Sequence, residues 1–466
     1  MKIRVFRHYL DAPTWILALL EGAVFFGSVY AAAHLRYLGG TAENLNELGP
    51  LYGRAIVITA TMLTIFLVLG LYNAEFRWGE RNSYFLHGVS FVLGFAALTV
   101  IFYVVPHLFL GRGVLGISLV IAFAAVTAIR VLFFVVLGGG AGRRRVIVLG
   151  TGSRPAKIAE LAKSKDNHNR FALVGFVRAD DHEIEVDPEQ LVPNNAPLLA
   201  LARQNRVDEV VVGIRQRRGG TLNMKDLLEC RMEGIHVVDL STFFERETGK
   251  VQLESLNPSW MVFSDGFNRS NIRTTVKRVF DIAVSASLLL LTFPVFLLTA
   301  LAVRLTSNGP VFYRQTRVGE CGQNFDILKF RSMRVDAEKE GAPQWASQKD
   351  SRVTPIGRFI RKVRIDELPQ VFNVLKGDMS FVGPRPERPF FVNQLISKIP
   401  YYSARHAVKP GITGWAQICY PYGSSIEDAK EKLQYDLYYV KNHTLFLDLI
   451  IMFQTAQVVL FGRGAR

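Results

Sequence analysis

Hydrophobic residues gather in four long runs before residue 140, at roughly 14–35, 51–72, 85–105 and 115–137. Each is near the roughly 20 residues that a helix needs to cross a hydrocarbon core. Beyond residue 142 the runs shorten and change period. RVIVLG, ALVGFV, DEVVVGI and IHVVDL are β-rich, and they alternate with the amphipathic stretches PAKIAELAKS, PLLALARQNR and MKDLLECRMEG. That alternation predicts a parallel sheet with crossover helices over residues 143–245. Residues 246–272 show no clear period and read as a linker, and a further apolar run follows from Val279 to Leu305. The remainder is polar, basic and rich in Gly and Pro turns, up to a last apolar helix at about 445–461.

The fold class expected is a membrane protein, α plus α/β. It comprises a four-helix transmembrane bundle (1–140), a Rossmann-like parallel α/β region (141–250), a linker (251–274) and a mostly helical region (275–466). The charges set a topology. Lys2, Arg4 and Arg7 precede the first run, Arg77 and Arg81 lie between the second and third, and Arg143, Arg144 and Arg145 follow the fourth. The other two connections are poorer in Lys and Arg, so both ends of the bundle face the cytoplasm. Away from their ends the four runs offer only Glu21 and Arg130 as clear charges, which is few for a transporter. Arg130 lies toward the cytoplasmic end of its run, where its side chain is expected to snorkel to the headgroups.

Composition agrees with membrane residence, at 49% hydrophobic residues and a mean hydropathy of +0.19. The formal net charge of +15 suits an anionic partner: nucleic acid, phospholipid headgroups or a phosphorylated substrate. Cys230, Cys321 and Cys419 are far apart and lack metal spacing, so neither a disulfide framework nor a zinc site is expected. Gly150-Thr-Gly152-Ser-Arg-Pro155 follows a strand and opens a helix, where a phosphate loop belongs. Pro155 replaces the third glycine, and Asp180 and Asp181 lie beyond the usual ribose-binding spacing. A structural role or a ligand other than a dinucleotide is therefore expected for Gly150 and Gly152, with a bound nucleotide as the alternative.

The run Arg361-Lys-Val-Arg364-Ile-Asp366-Glu367-Leu-Pro369 ends a basic stretch on two adjacent carboxylates. Pro369 belongs in a first helical turn and Gly377 just past a last one, so Asp366 and Glu367 fall at a helix N-terminus. Acidic residues there are commonly caps. The neighbourhood argues for chemistry instead: Arg352, Arg358 and Lys362 lie upstream, and a stiff Pro384-Arg385-Pro386 loop follows that can hold a guanidinium fork against phosphate. Lys329 and Arg331, two apart on a strand, would share one face toward a diphosphate. Trp415 reads as packing or as a base-stacking platform, and Asp436 as an exposed helix acid or an orienting group.

Taken in order, these motifs resemble the polyprenyl-phosphate hexose-1-phosphate transferases, the bacterial sugar transferases that begin exopolysaccharide and related glycan synthesis. The likeness is strongest over residues 275–466, through Gly309-Pro310, Arg314-Gln315, Lys329-Phe-Arg331-Ser-Met333, Asp366-Glu367-Leu-Pro-Gln370, Gly383-Pro-Arg385-Pro, Pro410-Gly-Ile-Thr-Gly-Trp415 and Tyr435-Asp436-Leu-Tyr-Tyr439. The whole chain resembles the large subclass, in which four spans and a Rossmann-like domain precede the catalytic part. The resemblance implies Asp366 as nucleophile on the sugar-linked phosphorus and Glu367 as ligand to Mg²⁺, with Asp366 a second candidate ligand. Lys329, Arg331, Arg364 and Arg385 would bind substrate phosphate, with Asp436 a partner for metal or base orientation.

The implied partners are a UDP-sugar, undecaprenyl phosphate, the bilayer and a second copy of the chain in a dimer, with no nucleic acid. UMP would be released at the cytoplasmic face of the bacterial inner membrane. Residues 279–305 would form a proline-broken re-entrant helix, since Pro294 lies near the centre and positive charge flanks both ends. A full crossing is the competing expectation for so long a run. Where many members of the family carry Asn-Gly-Arg-Asn, this chain reads Cys419-Tyr-Pro-Tyr-Gly423, so no arginine role is carried over there. The rival function is a membrane-anchored regulator or scaffold whose Rossmann-like region senses a nucleotide.

Overall fold

The structure, a computed structural model, describes residues 2–5, 8–37, 50–72, 81–138, 143–163, 171–178, 184–193, 196–214, 224–255, 271–306, 308–334, 352–421, 423 and 425–461. Arg7, Arg77, Asp180, Asp181 and most of the linker, 256–270, lie outside these. Apart from the first eight residues, the chain divides into two compact units, Tyr9–Glu247 and Thr248–Arg466. Two short strands, β1 (Lys2–Val5) and β2 (His8–Asp11), come first.

Four helices open the first unit: α1 (Ala12–Arg36), α2 (Leu51–Val68), α3 (Arg81–Val104) and α4 (Arg112–Gly138). Their apolar windows are 18 residues or longer, and they pack through a shared core that includes Phe25, Met62, Phe66, Leu98 and Val126. The expectation that Arg130 snorkels to the headgroups is overturned. Arg130 on α4 is 3% exposed, its Nε lies 2.5 Å from Glu21 Oε1 on α1, and its Nη2 lies 2.9 Å from Glu21 Oε2. The guanidinium also rests over the rings of Phe66 and Tyr72, and Tyr72 Oη donates to Glu21. A buried guanidinium is tolerated because carboxylate, phenol and ring faces replace its water. The partner sits 109 residues away, so no scan of a single helix reveals it.

The same unit holds five parallel strands in the order β5-β4-β3-β6-β7. They are β3 (Arg144–Leu149), β4 (Phe171–Val177), β5 (Leu191–Val192), β6 (Glu209–Val212) and β7 (His236–Asp239), and α5 (Ser153–Lys163), α6 (Leu198–Gln204), α7 (Met224–Met232) and α8 (Leu240–Thr248) fall between and after them. Val146 to Val148 and Val210 to Val211 are fully buried, as strands covered on both faces require. The Gly150 turn therefore sits at the switch point between β3 and β6. Where a third glycine would allow close packing, the Pro155 ring lies over Gly213, and a Cβ on Gly213 would meet Pro155 Cγ. The small residue at this contact is therefore Gly213, just past β6. Arg144, counted in the sequence as a membrane-flanking charge, instead pairs with Glu209 and Glu247.

The second unit is organised around one long helix, α9 (Asn271–Thr306), 36 residues with Pro294 inside it. Asp281, Ser285, Phe296, Thr299 and Val303 form its buried stripe, while Leu290, Leu291, Leu298 and Leu305 on other faces are each more than 60% exposed. A hairpin of β8 (Phe312–Val318) and β9 (Asn324–Phe330) follows. Next come α10 (Pro355–Lys362), α11 (Gln370–Lys376), β10 (Ser380–Val382), α12 (Pro389–Lys398), β11 (Gly411–Thr413), α13 (Trp415–Cys419), α14 (Ile426–Asn442) and α15 (Leu445–Phe461). Strands β10 and β11 pair in parallel, Ser380 with Gly411 and Val382 with Thr413.

The long helix is fastened to this unit near its N-terminus and again past Pro294. Arg278 donates to the Val374 and Leu375 carbonyls at the end of α11, a cation at the negative end of a helix. Asp281 accepts from Ser380 Oγ and the Phe381 amide, and Lys277 bridges Asp448 and the Val382 carbonyl. Further along, Phe296 and Val303 pack with Phe330 and Ile360. These apolar and polar grips form one scaffold for the loops between β9 and β11.

Candidate active site

Asp366 and Glu367 occupy a single 3-10 turn, Ile365–Glu367, immediately ahead of α11. The turn is reached through Arg364, whose backbone is left-handed at φ 59°, a conformation that costs an L-residue about 1–2 kcal/mol. Pro369 caps α11 and Gly377 closes it at φ 101°, as its sequence predicts. Chain direction thus delivers two carboxylates to the positive end of a short helix.

Three of the expected basic residues converge on Glu367. Lys329 Nζ lies 2.9 Å from Glu367 Oε1, Arg385 Nη2 lies 3.1 Å from the same oxygen, and Arg364 Nη1 lies 4.0 Å from Oε2. The two acids are driven apart in acidity. Burial raises the Asp366 pKa, and the charge of Glu367 adds to that against the opposing pull of Lys329, Arg361 and Arg364. Burial also acts to raise Glu367, but Lys329 and Arg385 override it and hold that carboxyl well below the usual range. The pair therefore comprises one carboxylate anchored among cations and one desolvated carboxylate beside it.

Arg385 is held through its backbone. Four consecutive carbonyls of the Pro384–Glu387 loop each accept a hydrogen bond: Pro384 from the Gly411 amide, Arg385 from Arg405 Nη2, Pro386 from Arg317 Nη1, and Glu387 from the Val318 amide. The loop is packed closely as well, since a Cβ on Gly411 would collide with the Gly383 nitrogen. Such a loop presents its guanidinium at little further entropic cost.

The remaining expected residues go elsewhere. Arg331 lies one residue beyond β9, 5% exposed, and its Nη1 donates to the Asn308 carbonyl rather than joining Lys329 on Glu367. Asp436 is not the exposed helix acid that its surroundings allowed. It is 2% exposed and bound to Arg405 at 2.8 Å. Trp415 packs, stacked on Tyr438 with its Nε1 donating to the Gly249 carbonyl. Sequence reasoning missed Arg405 and the loop-holding role of Arg317. Nothing in the spacing marks either, because their partners are 20 and 69 residues distant.

The residues fit a Mg²⁺ ion of the kind held by one or two carboxylates and completed by phosphate oxygens and water. Lys329 and Arg385 both bond Glu367 Oε1, which leaves Oε2, with Arg364 at 4.0 Å, as the oxygen for an ion, and Asp366 is the neighbouring residue. Among the described residues no group of three or more His, Cys, Asp or Glu is arranged to hold a metal, so a full protein cage is not what the site offers.

The site thus sets a pair of carboxylates among cations, on a unit that carries a long apolar helix. Residues 272–462 match the family described as bacterial sugar transferase. The chain is 42% identical over 261 residues to the UDP-N-acetylgalactosamine-undecaprenyl-phosphate N-acetylgalactosaminephosphotransferase of Aeromonas hydrophila, covering 56% of this chain and 61% of that protein. It is 34% identical over 327 residues to the undecaprenyl-phosphate glucose phosphotransferase of Komagataeibacter xylinus, covering 69% and 60%. It is also 34% identical over 324 residues to the UDP-glucose:undecaprenyl-phosphate glucose-1-phosphate transferase of Klebsiella pneumoniae, covering 68% of each. The chain belongs to the bacterial sugar transferase family, within the polyprenyl-phosphate hexose-1-phosphate transferases. The match thus spans about three fifths of the first two relatives.

Proposed function

We propose that this protein transfers a hexose-1-phosphate from a UDP-sugar to undecaprenyl phosphate and releases UMP, as the first membrane step of a glycan. The observation that carries this reading is the split pair: Asp366 buried and raised, Glu367 charged and gripped by Lys329 and Arg385. An Asp366 carboxylate oxygen attacks the phosphorus that bears the sugar. The bond from that phosphorus to the UMP oxygen breaks, UMP leaves with the electron pair, and a phosphosugar-aspartyl ester remains. A phosphate oxygen of the polyprenyl carrier then attacks the same phosphorus, and the aspartyl bond breaks to restore the carboxylate.

Both reactants are anionic, so the chain must neutralise them. Arg385 on its braced loop, Lys329 and Arg364 form the clamp on the equatorial oxygens, and Glu367 keeps these cations in register between turnovers. Mg²⁺, held by Glu367 with Asp366 as second ligand, would supply charge neutralisation of the diphosphate. The reacting region is residues 275–466, following the four spans and the Rossmann-like region.

The reaction lies at the cytoplasmic face if α9 enters the bilayer and returns. Support comes from the two grips on one unit, Lys277, Arg278 and Asp281 before Pro294, and Phe296 and Val303 after it.

The test is direct. Membranes carrying the protein are incubated with a panel of UDP-sugars and undecaprenyl phosphate, and UMP is counted. One sugar is expected to release UMP, and donor labelled in the sugar should label the protein when the acceptor is withheld. With Asp366→Asn both signals should vanish; retained turnover would remove Asp366 from the chemistry.

A further inference from the structure

A second cationic cleft, lined by neither carboxylate, lies between the first two turns of α9 and the start of α15. It encloses about 320 Å³ and is lined by Arg273, Lys277, His443 and Thr444, with Ile272, Val276 and Leu445 supplying apolar walls. Arg273 and Lys277 are four apart and so share one helical face. Lys277 is fixed in place by Asp448 at 2.7 Å and the Val382 carbonyl at 3.2 Å. His443 bonds the Val440 carbonyl through Nδ1 at 2.8 Å. Burial, with Arg273 and Lys277 nearby, lowers its pKa below the ordinary 6.5, so at neutral pH the imidazole is uncharged and the positive charge lies on Arg273 and on Lys277, the latter offset by Asp448.

The walls say what kind of anion fits. Ile272 is 78% exposed and Val276 47% exposed, and both stand on a helix whose mean hydropathy suits hydrocarbon. A free phosphate or a soluble nucleotide would leave these side chains in water. An anionic headgroup with attached acyl chains covers them. The lining includes none of Asp366, Glu367, Lys329, Arg364 and Arg385. Arg278, next to Lys277, binds the C-terminal carbonyls of α11, whereas Asp366 and Glu367 precede its N-terminus.

We propose that the cleft formed by Arg273, Lys277, His443 and Thr444 binds the phosphodiester headgroup of an anionic phospholipid and so seats the start of α9 in the bilayer. This site is separate from phosphoryl transfer and does not rest on the proposed reaction.

The experiment uses the full chain, purified in mild detergent, offered phosphatidylglycerol or phosphatidylcholine, with retained lipid counted by native mass spectrometry. The wild type is expected to retain phosphatidylglycerol in preference. Arg273→Gln should weaken that preference about fivefold, the equivalent of roughly 1 kcal/mol for one cation at an anionic surface. Arg273→Lys should restore most of it, and Ile272→Asn should weaken retention without altering charge. UMP release by Arg273→Gln at saturating acceptor in phosphatidylcholine should match the wild type. Equal phosphatidylglycerol retention by wild type and Arg273→Gln overturns the proposal. So does complete displacement by millimolar inorganic phosphate, which would assign the cleft to a free anion. A raised KM for undecaprenyl phosphate with unchanged phosphatidylglycerol retention would assign it to the acceptor and equally sink the proposal.

Discussion

Arg405 Nη2 lies 2.8 Å from Asp436 Oδ2 and 2.9 Å from the Arg385 carbonyl, so one buried guanidinium ties the acid of α14 to the loop that aims the phosphate-binding arginine. Arg405 is 5% exposed and Asp436 2%, and Tyr402 Oη takes a further donor of the same fork. Breaking a buried pair on one side leaves an uncompensated charge, at about 3–5 kcal/mol. Arg405→Ala is therefore expected to lower stability and to cut kcat for UMP release by about 10²-fold or more, the scale of a misplaced charge-stabilising group. Arg405→Lys should fold better yet stay slow, because one ammonium cannot also reproduce the Nε contact to Asp436 and the Nη1 contact to Tyr402 that a planar fork makes. Kinetics and thermal unfolding on the same preparations check this; an active Arg405→Ala would break the link.

The acidity split gives a pH prediction. Asp366 has a folded pKa above its ordinary 3.8, so its contribution to stability is complete below about that pH and is lost as pH rises through the folded value. At neutral pH the buried carboxylate is a net cost. Asp366→Asn, which mimics the protonated form, should raise Tm at pH 7 by about 2–4 °C, with the gain shrinking in acid. Glu367 has the opposite sign, stabilising above its ordinary 4.5 and losing that contribution as pH falls toward its depressed folded value. Glu367→Gln removes a neighbour that raises Asp366, so the acid limb of the UMP-release profile should move to lower pH. A Tm unchanged by Asp366→Asn across pH would contradict the first half, and an unmoved limb the second.

Arg364 carries both strain and charge. Arg364→Gly should relieve the left-handed backbone and stabilise the fold by about 1 kcal/mol, while removing a cation beside both acids and weakening donor binding. Opposite signs in Tm and in KM for the UDP-sugar are the expected signature, and a fall in both stability and affinity would argue that the side chain holds the turn.

Within the spans, Glu21→Gln alone should destabilise the bundle by about 3–5 kcal/mol by stranding Arg130, whereas joint replacement of Glu21 and Arg130 by Leu and Met should recover most of it. Thermal unfolding in detergent separates the two, and additive losses would deny the pairing.

The path of α9 is tested with single cysteines in a background lacking Cys230, Cys321 and Cys419. Ile272→Cys and Asn308→Cys should both be shielded from an impermeant thiol reagent in intact cells. Labelling at 308 but not at 272 would establish a crossing.

Features set by period, length and local stereochemistry were legible along the chain. Spans of α1 to α4, the alternation that gives β3 to β7, and the Pro369 to Gly377 limits of α11 are properties of neighbouring residues, and the ordered motifs sufficed to identify the family. The placement of Asp366 and Glu367 ahead of a helix belongs to the same class. Which charges meet emerges only in the folded chain. Arg130 finds Glu21, Arg405 finds Asp436 and the Arg385 carbonyl, Arg331 turns to Asn308, and Lys277 and Arg278 serve as clamps as well as flanking charges. A charge selects its partner by distance and desolvation in space. Neither quantity is a function of spacing along the chain once the partners lie tens of residues apart.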